Sequence, residues 1–198
     1  MIGLADTISA CRLPAAPLRR LLAANRRDQL VTRYETFEQL LDYCRLSAAP
    51  VGELVLHVLG AATPDRIVLS DRICAGLQIT EHLQDVREDY ARGRIYVPAD
   101  DLARFGCGDA DLRAGLATPP GRALLALEVQ RARGLLAGGA PLAGTLTPRP
   151  RIAVAGFVAG GRRALDALSR GSDRPAGTRA VRGRAAFVAA FVDALVGR

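Results

Sequence analysis

Gln78, Glu81, His82, Asp85, Glu88 and Asp89 lie close together in the stretch from Leu77 to Tyr90, a concentration of hard oxygen donors with one amide and one imidazole. The stretch has no Pro or Gly and few β-branched residues, so it predicts helix. At about 100° per residue, Gln78, Asp85 and Asp89 share one side, within about 40° of one another. Glu81, His82 and Glu88 flank that line, while Ile79, Leu83 and Val86 project elsewhere and are free to pack. The result is an acidic row roughly 16 Å long. Glu81/Asp85 and Asp85/Asp89 are like charges at i,i+4, each costing a helix a few tenths of a kcal/mol. Neither Glu81 nor Asp85 has an Arg three or four residues away, whereas Glu88 and Asp89 both reach Arg92 in sequence. A hard divalent cation would remove the repulsion, and Mg²⁺ takes one or two carboxylates, completing its shell with water and phosphate oxygens. A solvated helix face is the alternative that the same pattern allows.

Gln78-x6-Asp85-x2-Glu88-Asp89, followed by Arg92-Gly93-Arg94-Ile95-Tyr96-Val97-Pro98, resembles the second aspartate-rich motif of the squalene/phytoene synthase family. Tyr43-Cys44-x2-Ser47-Ala48-x2-Val51-Gly52 is similar to a second block of that family. Asn25-Arg26-Arg27-Asp28-Gln29 and Leu83-Gln84-Asp85 look most like the bacterial branch that makes hydroxysqualene for hopanoid-type lipids. The likeness runs from about Leu18 to Arg170. It implies an all-α, isoprenoid-synthase-type helical bundle around a central cavity, and a Mg²⁺-dependent prenyltransferase joining prenyl diphosphates head to head. The implied substrate is farnesyl or presqualene diphosphate.

The resemblance also implies roles. Asp85 and Asp89 would ligate Mg²⁺ directly or through water, with Glu88 supporting the metal from outside. Gln78 would orient diphosphate or a metal-bound water, and Glu81 stands where the family usually has Asn. Arg92 and Arg94 are candidates for diphosphate contact, since a guanidinium fork matches phosphate oxygens; the alternative for both is a helix-end pair with Glu88 or Asp89. Tyr43 would line the catalytic site, and Ser47 and Val51 the prenyl-chain wall.

The family carries another Asp-x-x-x-Asp motif on an earlier helix, facing this row across the cavity. Upstream of Tyr43 this chain has only Asp6, Asp28 and Asp42, with no such spacing. Ser172 stands where the family often has Tyr. The sequence is therefore read as an amino-terminally truncated member lacking the first helices, with negligible turnover alone and a cavity wall open to self-association. A phytoene synthase-like enzyme using longer chains, or a non-catalytic helical subunit or remnant, are the competing readings.

Composition agrees with helices. Of the 198 residues, 49% are hydrophobic but only 5% aromatic, with no Trp, which favours Leu- and Ala-rich helix packing in one domain. The formal net charge of +7 is carried entirely by Arg, suiting diphosphates or the acidic inner membrane surface as a peripheral contact. Nucleic acid is not an expected partner, because the arginines are dispersed and an acidic row repels phosphate. Four cysteines without a CxxC pair argue for reduced, cytoplasmic surroundings and against structural zinc. No signal peptide precedes the first helix, and no run reaches the roughly 18 apolar residues of a membrane span.

The elements that must position the row follow in order. Residues 1–16 read as an arm or helix remnant. Pro17 opens a helix to about Arg33, with Leu18, Leu21, Leu22 and Leu30 on its apolar side. Thr36 and Gln39 form a capping box for the next helix, which Pro50 and Gly52 break. Thr63-Pro64-Asp65 launches a central helix that runs unbroken to Ala91 and stops at Gly93. Pro98 starts a short helix, and Thr118-Pro119 a long one to Gly138-Gly139. Pro141 to Pro150 reads as loop. Ile152 to Leu168 reads as helix, with Gly156, Gly160 and Gly161 giving close packing, and residues 178–198 as a terminal helix.

Overall fold

Residues 2–170 are described in a computed structural model of the chain. The expected turn after Gly171, Ser172 and the terminal helix over 178–198 lie outside them. The described residues are all-α: α1 Ile2–Ala10, α2 Ala15–Arg27, α3 Phe37–Ser47, α4 Ala49–Val58, α5 Pro64–Gln84, α6 Val86–Ala91, α7 Ala99–Phe105, α8 Asp109–Arg113, α9 Pro119–Gly139 and α10 Pro148–Ser169. None of these helices is long and apolar enough to cross a membrane.

The punctuation residues act as their chemistry dictates. Thr36 Oγ1 accepts from the Gln39 amide at 3.2 Å and Thr63 Oγ1 from the Arg66 amide at 3.4 Å, opening α3 and α5. Gly93, at φ +76°, closes α6 in the left-handed region while the Arg94 amide reaches back to the Asp89 carbonyl at 2.8 Å. Between α3 and α4 the chain breaks at Ala48, with Pro50 in the first turn of α4. Gly52 then lets α4 approach α5 closely, since a Cβ there would lie 2.3 Å from Ser70 Oγ and 2.5 Å from Cys74 Sγ.

Two long helices, α5 and α9, lie together at the centre, flanked by α4 and α10. Their seam buries Ile73, Ile79, Leu83, Val129, Ala132 and Leu136. A smaller apolar group, including Val86, Ile95, Val97, Leu112 and Leu116, sits beyond the end of α5. Between α7 and α9, buried Asp101 and Glu128 share Arg131. Its Nη1 donates to Asp101 Oδ2 and, at 2.7 Å, to Glu128 Oε1, while its Nη2 donates to Asp101 Oδ1 at 3.3 Å. The guanidinium also lies 4.5 Å from the centre of the Phe37 ring, tying in the start of α3. Burial raises the Glu128 carboxyl from 4.5 to about 7, against the pull of Arg131.

Four expectations need correction. The central helix is not continuous: it ends at Gln84, Asp85 sits at φ −104°, ψ 9°, and α6 begins at Val86. The like-charged carboxylates weaken this turn, and the redirected α6 delivers Val86 to the second apolar group against α8. Second, α2 ends at Arg27, so Leu30 is exposed, as is Leu22. Third, the Pro-rich stretch is not a loop: a 3₁₀ turn spans Ala140–Thr145, and Pro148 occupies the first turn of α10, where a missing N–H costs nothing. Fourth, of the three glycines in α10 only Gly161 is at a close contact, beside Leu77 and Leu136, whereas Gly156 and Gly160 face open space. Residues 2–10, read as an arm or remnant, form α1.

Candidate functional site

The α5–α6 break and the segment that follows Gly93 build the site together. After α6 the chain turns back and lies beside residues 32–35. The Ile95 amide donates to the Thr32 carbonyl at 2.8 Å and the Ala99 amide to the Tyr34 carbonyl at 3.0 Å. A single parallel bridge, Arg33 with Ile95, results. This return segment places Arg94 and Tyr96 opposite the carboxylates of α6.

A small pocket opens there, lined by His82, Asp89, Arg94 and Tyr96, with Val86, Ile95, Val97 and Leu112 as its apolar part. The Asp89 carboxylate lies 3.9 Å from His82 Nδ1. Arg94 turns inward: Nη2 donates to the Asp28 carbonyl at 2.9 Å, Nη1 to the Tyr96 hydroxyl at 3.3 Å, and Nη1 stands 3.6 Å from Asp28 Oδ1. Asp28 Oδ1 and the Tyr34 hydroxyl are buried with no hydrogen-bond partner among the described residues. Both residues face arginines instead, Asp28 Oδ1 the Arg94 guanidinium at 3.6 Å and the Tyr34 ring the Arg27 guanidinium at 5.6 Å from its centre.

An aromatic stack floors the pocket. The His82 ring lies on Tyr96 at 3.7 Å between centroids and 12° between planes. Tyr43 is 5.4 Å from Tyr34 and 5.9 Å from Tyr96. Burial, then the neighbouring Tyr96, drives the Tyr43 phenol far above its ordinary range, so it remains a neutral hydroxyl at every working pH. Tyr34 is raised by burial in the same way.

The remaining expected residues divide. Gln78, half-buried on α5, has its amide nitrogen 3.1 Å from His82 Nε2. Asp85 sits at the helix break, and the backbone ladder continues through it, the Asp89 amide donating to the Asp85 carbonyl at 2.8 Å. Glu81 precedes it by one turn and is half-buried. Glu88 is paired with Arg92 rather than directed into the pocket, and the Arg92 side chain is 60% exposed. The helix-end pairing therefore describes Arg92 and not Arg94. The Ser47 hydroxyl donates back to the Tyr43 carbonyl at 3.1 Å, and Val51 is exposed one turn further on. Neither lines the pocket. His82, Tyr96 and Asp28 were not singled out as site residues by the sequence. The spacing of His82, one turn after Gln78 and two before Asp89, was its available signal; the Asp28–Arg94 contact, spanning 66 residues, had none.

Among the described residues no group of three or more His, Cys, Asp or Glu side chains is placed to hold a metal by itself. Asp85 and Asp89, one helical turn apart in sequence, are of the donor type that Mg²⁺ accepts when water and phosphate fill its other positions, and of the two Asp89 lines the pocket.

A family model described as squalene/phytoene synthase matches residues 1–186. The phytoene synthase of Arthrospira platensis is 39% identical over 145 residues, 67% of this chain and 47% of that protein. The hydroxysqualene synthase of Rhodopseudomonas palustris is 41% identical over 124 residues, 62% of this chain and 42% of that protein. The chain thus spans about half the length of these curated relatives. The crystal structure of the squalene synthase HpnC from Alicyclobacillus acidocaldarius superposes with a TM-score of 0.80 at 46% identity, covering 84% of this chain and 64% of that one.

Proposed function

The chain belongs to the squalene/phytoene synthase family, and we propose on that premise that Asp85 and Asp89 form one carboxylate row of a magnesium–diphosphate site. The substrate proposed is farnesyl or presqualene diphosphate, in hydroxysqualene or squalene formation. The observation that carries the reading is the meeting of Asp89 and Arg94 in one pocket, an anion to share a cation and a guanidinium to grip phosphate oxygens.

Mg²⁺, when bound, supplies the positive charge that lets diphosphate depart. The chain's own residues do the rest. Asp85 and Asp89 would hold the ion, Gln78 would orient a water or phosphate oxygen, and Arg94, braced by Asp28 and Tyr96, would face the leaving group. Tyr43, locked as a neutral phenol, belongs to a dry aromatic wall that keeps water from a carbocation. Val51, exposed on α4, and Ser47 are assigned to the prenyl-chain side.

Two carboxylates satisfy only part of a diphosphate-bound metal cluster, so we assign turnover to a fuller set that includes a second acidic row facing this one. Incubating the purified chain with Mg²⁺ and farnesyl or presqualene diphosphate tests both parts. The expected outcome is Mg²⁺-dependent diphosphate binding with negligible product. Efficient turnover would refute the need for a second row, and absence of Mg²⁺-dependent binding would refute the site. The likeness to a phytoene synthase at 39% identity supports a second reading with longer chains; tighter binding of geranylgeranyl than of farnesyl diphosphate would favour it.

A further inference from the structure

We propose that His82 is a positioning residue that couples Gln78 on α5 to Asp89 on α6 across the break at Asp85. The proposal rests on the reading of Asp85 and Asp89 as a magnesium–diphosphate row.

The break creates the need. Asp85 departs from helical backbone at φ −104°, ψ 9°, so Gln78 and Asp89 stand on separate helices, and what fixes one relative to the other is a side chain that reaches both. Positions 78, 82 and 89 nevertheless fall on one face, since four and seven residues both return close to a whole number of turns. On that face His82 presents one ring nitrogen to each side of the break. Nε2 lies 3.1 Å from the Gln78 amide nitrogen, and Nδ1 lies 3.9 Å from Asp89 Oδ2. An amide nitrogen can only donate, so Nε2 accepts and the ring proton resides on Nδ1, the nitrogen that faces the carboxylate. His82 is thus within hydrogen-bond reach of Gln78 through Nε2, and through Nδ1 it faces Asp89 at a distance that favours electrostatic attraction rather than a hydrogen bond.

The ring itself cannot drift. It is 7% exposed and stacked on Tyr96, which rests in turn against Tyr34 and Tyr43. An apolar ring would pack there as well, so packing explains the stack and leaves the two nitrogens unexplained. Their placement against an amide and a carboxylate is what an outer partner of a metal site requires.

The test compares wild type, His82→Phe and His82→Asn in the full chain, using Mg²⁺ with inorganic pyrophosphate as the probe. Calorimetric titration gives the affinity and thermal unfolding the fold. His82→Phe keeps the ring on Tyr96 but has no nitrogen; it is expected to weaken Mg²⁺–pyrophosphate binding by roughly 10- to 100-fold, with the melting temperature held within a few degrees. His82→Asn, whose amide N–H can take the place of Nδ1–H, is expected to recover a measurable part of that loss. Wild-type affinity in His82→Phe would overturn the proposal, as would equal losses in both variants that track a fallen melting temperature. Failure of wild type itself to bind would instead remove the carboxylate-row reading, and the coupling with it.

Discussion

Asp101 and Glu128 are enclosed between α7 and α9 with one arginine held between them, whereas Asp89 lines a small pocket with an imidazole at 3.9 Å. The first cluster has its countercharge built in. Its carboxylates are 3% and 1% exposed, and the guanidinium that serves them is capped by Phe37. The second sets Asp89 at a small pocket, its side chain 16% exposed, beside Arg94, which Asp28 and Tyr96 brace. The same functional group does different work in the two places. Where a protein neutralises its own acids they tie elements together; under the function proposed above, Asp89 instead awaits an outside cation.

Breaking the enclosed cluster should therefore produce the largest loss of stability. Arg131→Met leaves two buried carboxylates without a cation and is expected to cost about 3–5 kcal/mol in urea unfolding. Arg92→Met, which removes an exposed i,i+4 pair with Glu88, should cost no more than about 0.5 kcal/mol. Similar losses in the two variants would erase the distinction.

Proton linkage sharpens the same contrast. Glu128 titrates near 7 when folded and near 4.5 when unfolded, so between those values the folded chain holds the extra proton. Stability from this group is fully present below about pH 4.5 and is lost as pH rises through about 7, by about 3 kcal/mol. Glu128→Gln keeps a donor for Asp101 and an acceptor for Arg131 without the titration. Its stability should stay level over that window after subtraction of the wild-type background from other groups. Parallel profiles for the two proteins would show that Glu128 is ionised throughout.

Much of this architecture was legible in the sequence because it is written in local chemistry. Thr36, Thr63 and Thr118 each cap the helix they precede, and Gly93 and Gly106 adopt the left-handed backbone that ends one. The acidic row and its Arg-Gly-Arg-Ile-Tyr tail were legible for the same reason. What escaped were long-range decisions. The break at Asp85 depends on Val86 finding Leu112 and Ile95 in the second apolar group, a contact invisible to helical periodicity. Arg92 and Arg94 look equivalent in sequence, yet one lies along a helix end and the other reaches Asp28 across 66 residues. Asp101 and Glu128, 27 residues apart in sequence, are brought to one arginine only by the packing of α7 on α9.

A stability effect as small as that of Arg92→Met is the most telling for function. Asp89→Asn removes one of two like charges at i,i+4, a repulsion of a few tenths of a kcal/mol, and exchanges a carboxylate that has no strong cationic partner of its own for a neutral isostere. Unfolding free energy should therefore change by no more than about 0.5 kcal/mol in either direction. The linked effect should be large by comparison. Mg²⁺ with pyrophosphate at 100 times its dissociation constant would stabilise the wild type by about 2.7 kcal/mol, because a ligand that binds only the folded state shifts the equilibrium by mass action. Asp89→Asn should lose most of that shift, since the row would offer the ion one carboxylate in place of two. An acid that matters little to the empty fold and much to the loaded one is an acid placed for a ligand. Should Asp89→Asn instead destabilise the unliganded chain by several kcal/mol, Asp89 would be a structural acid of the Asp101 kind, and the contrast between the two clusters would dissolve.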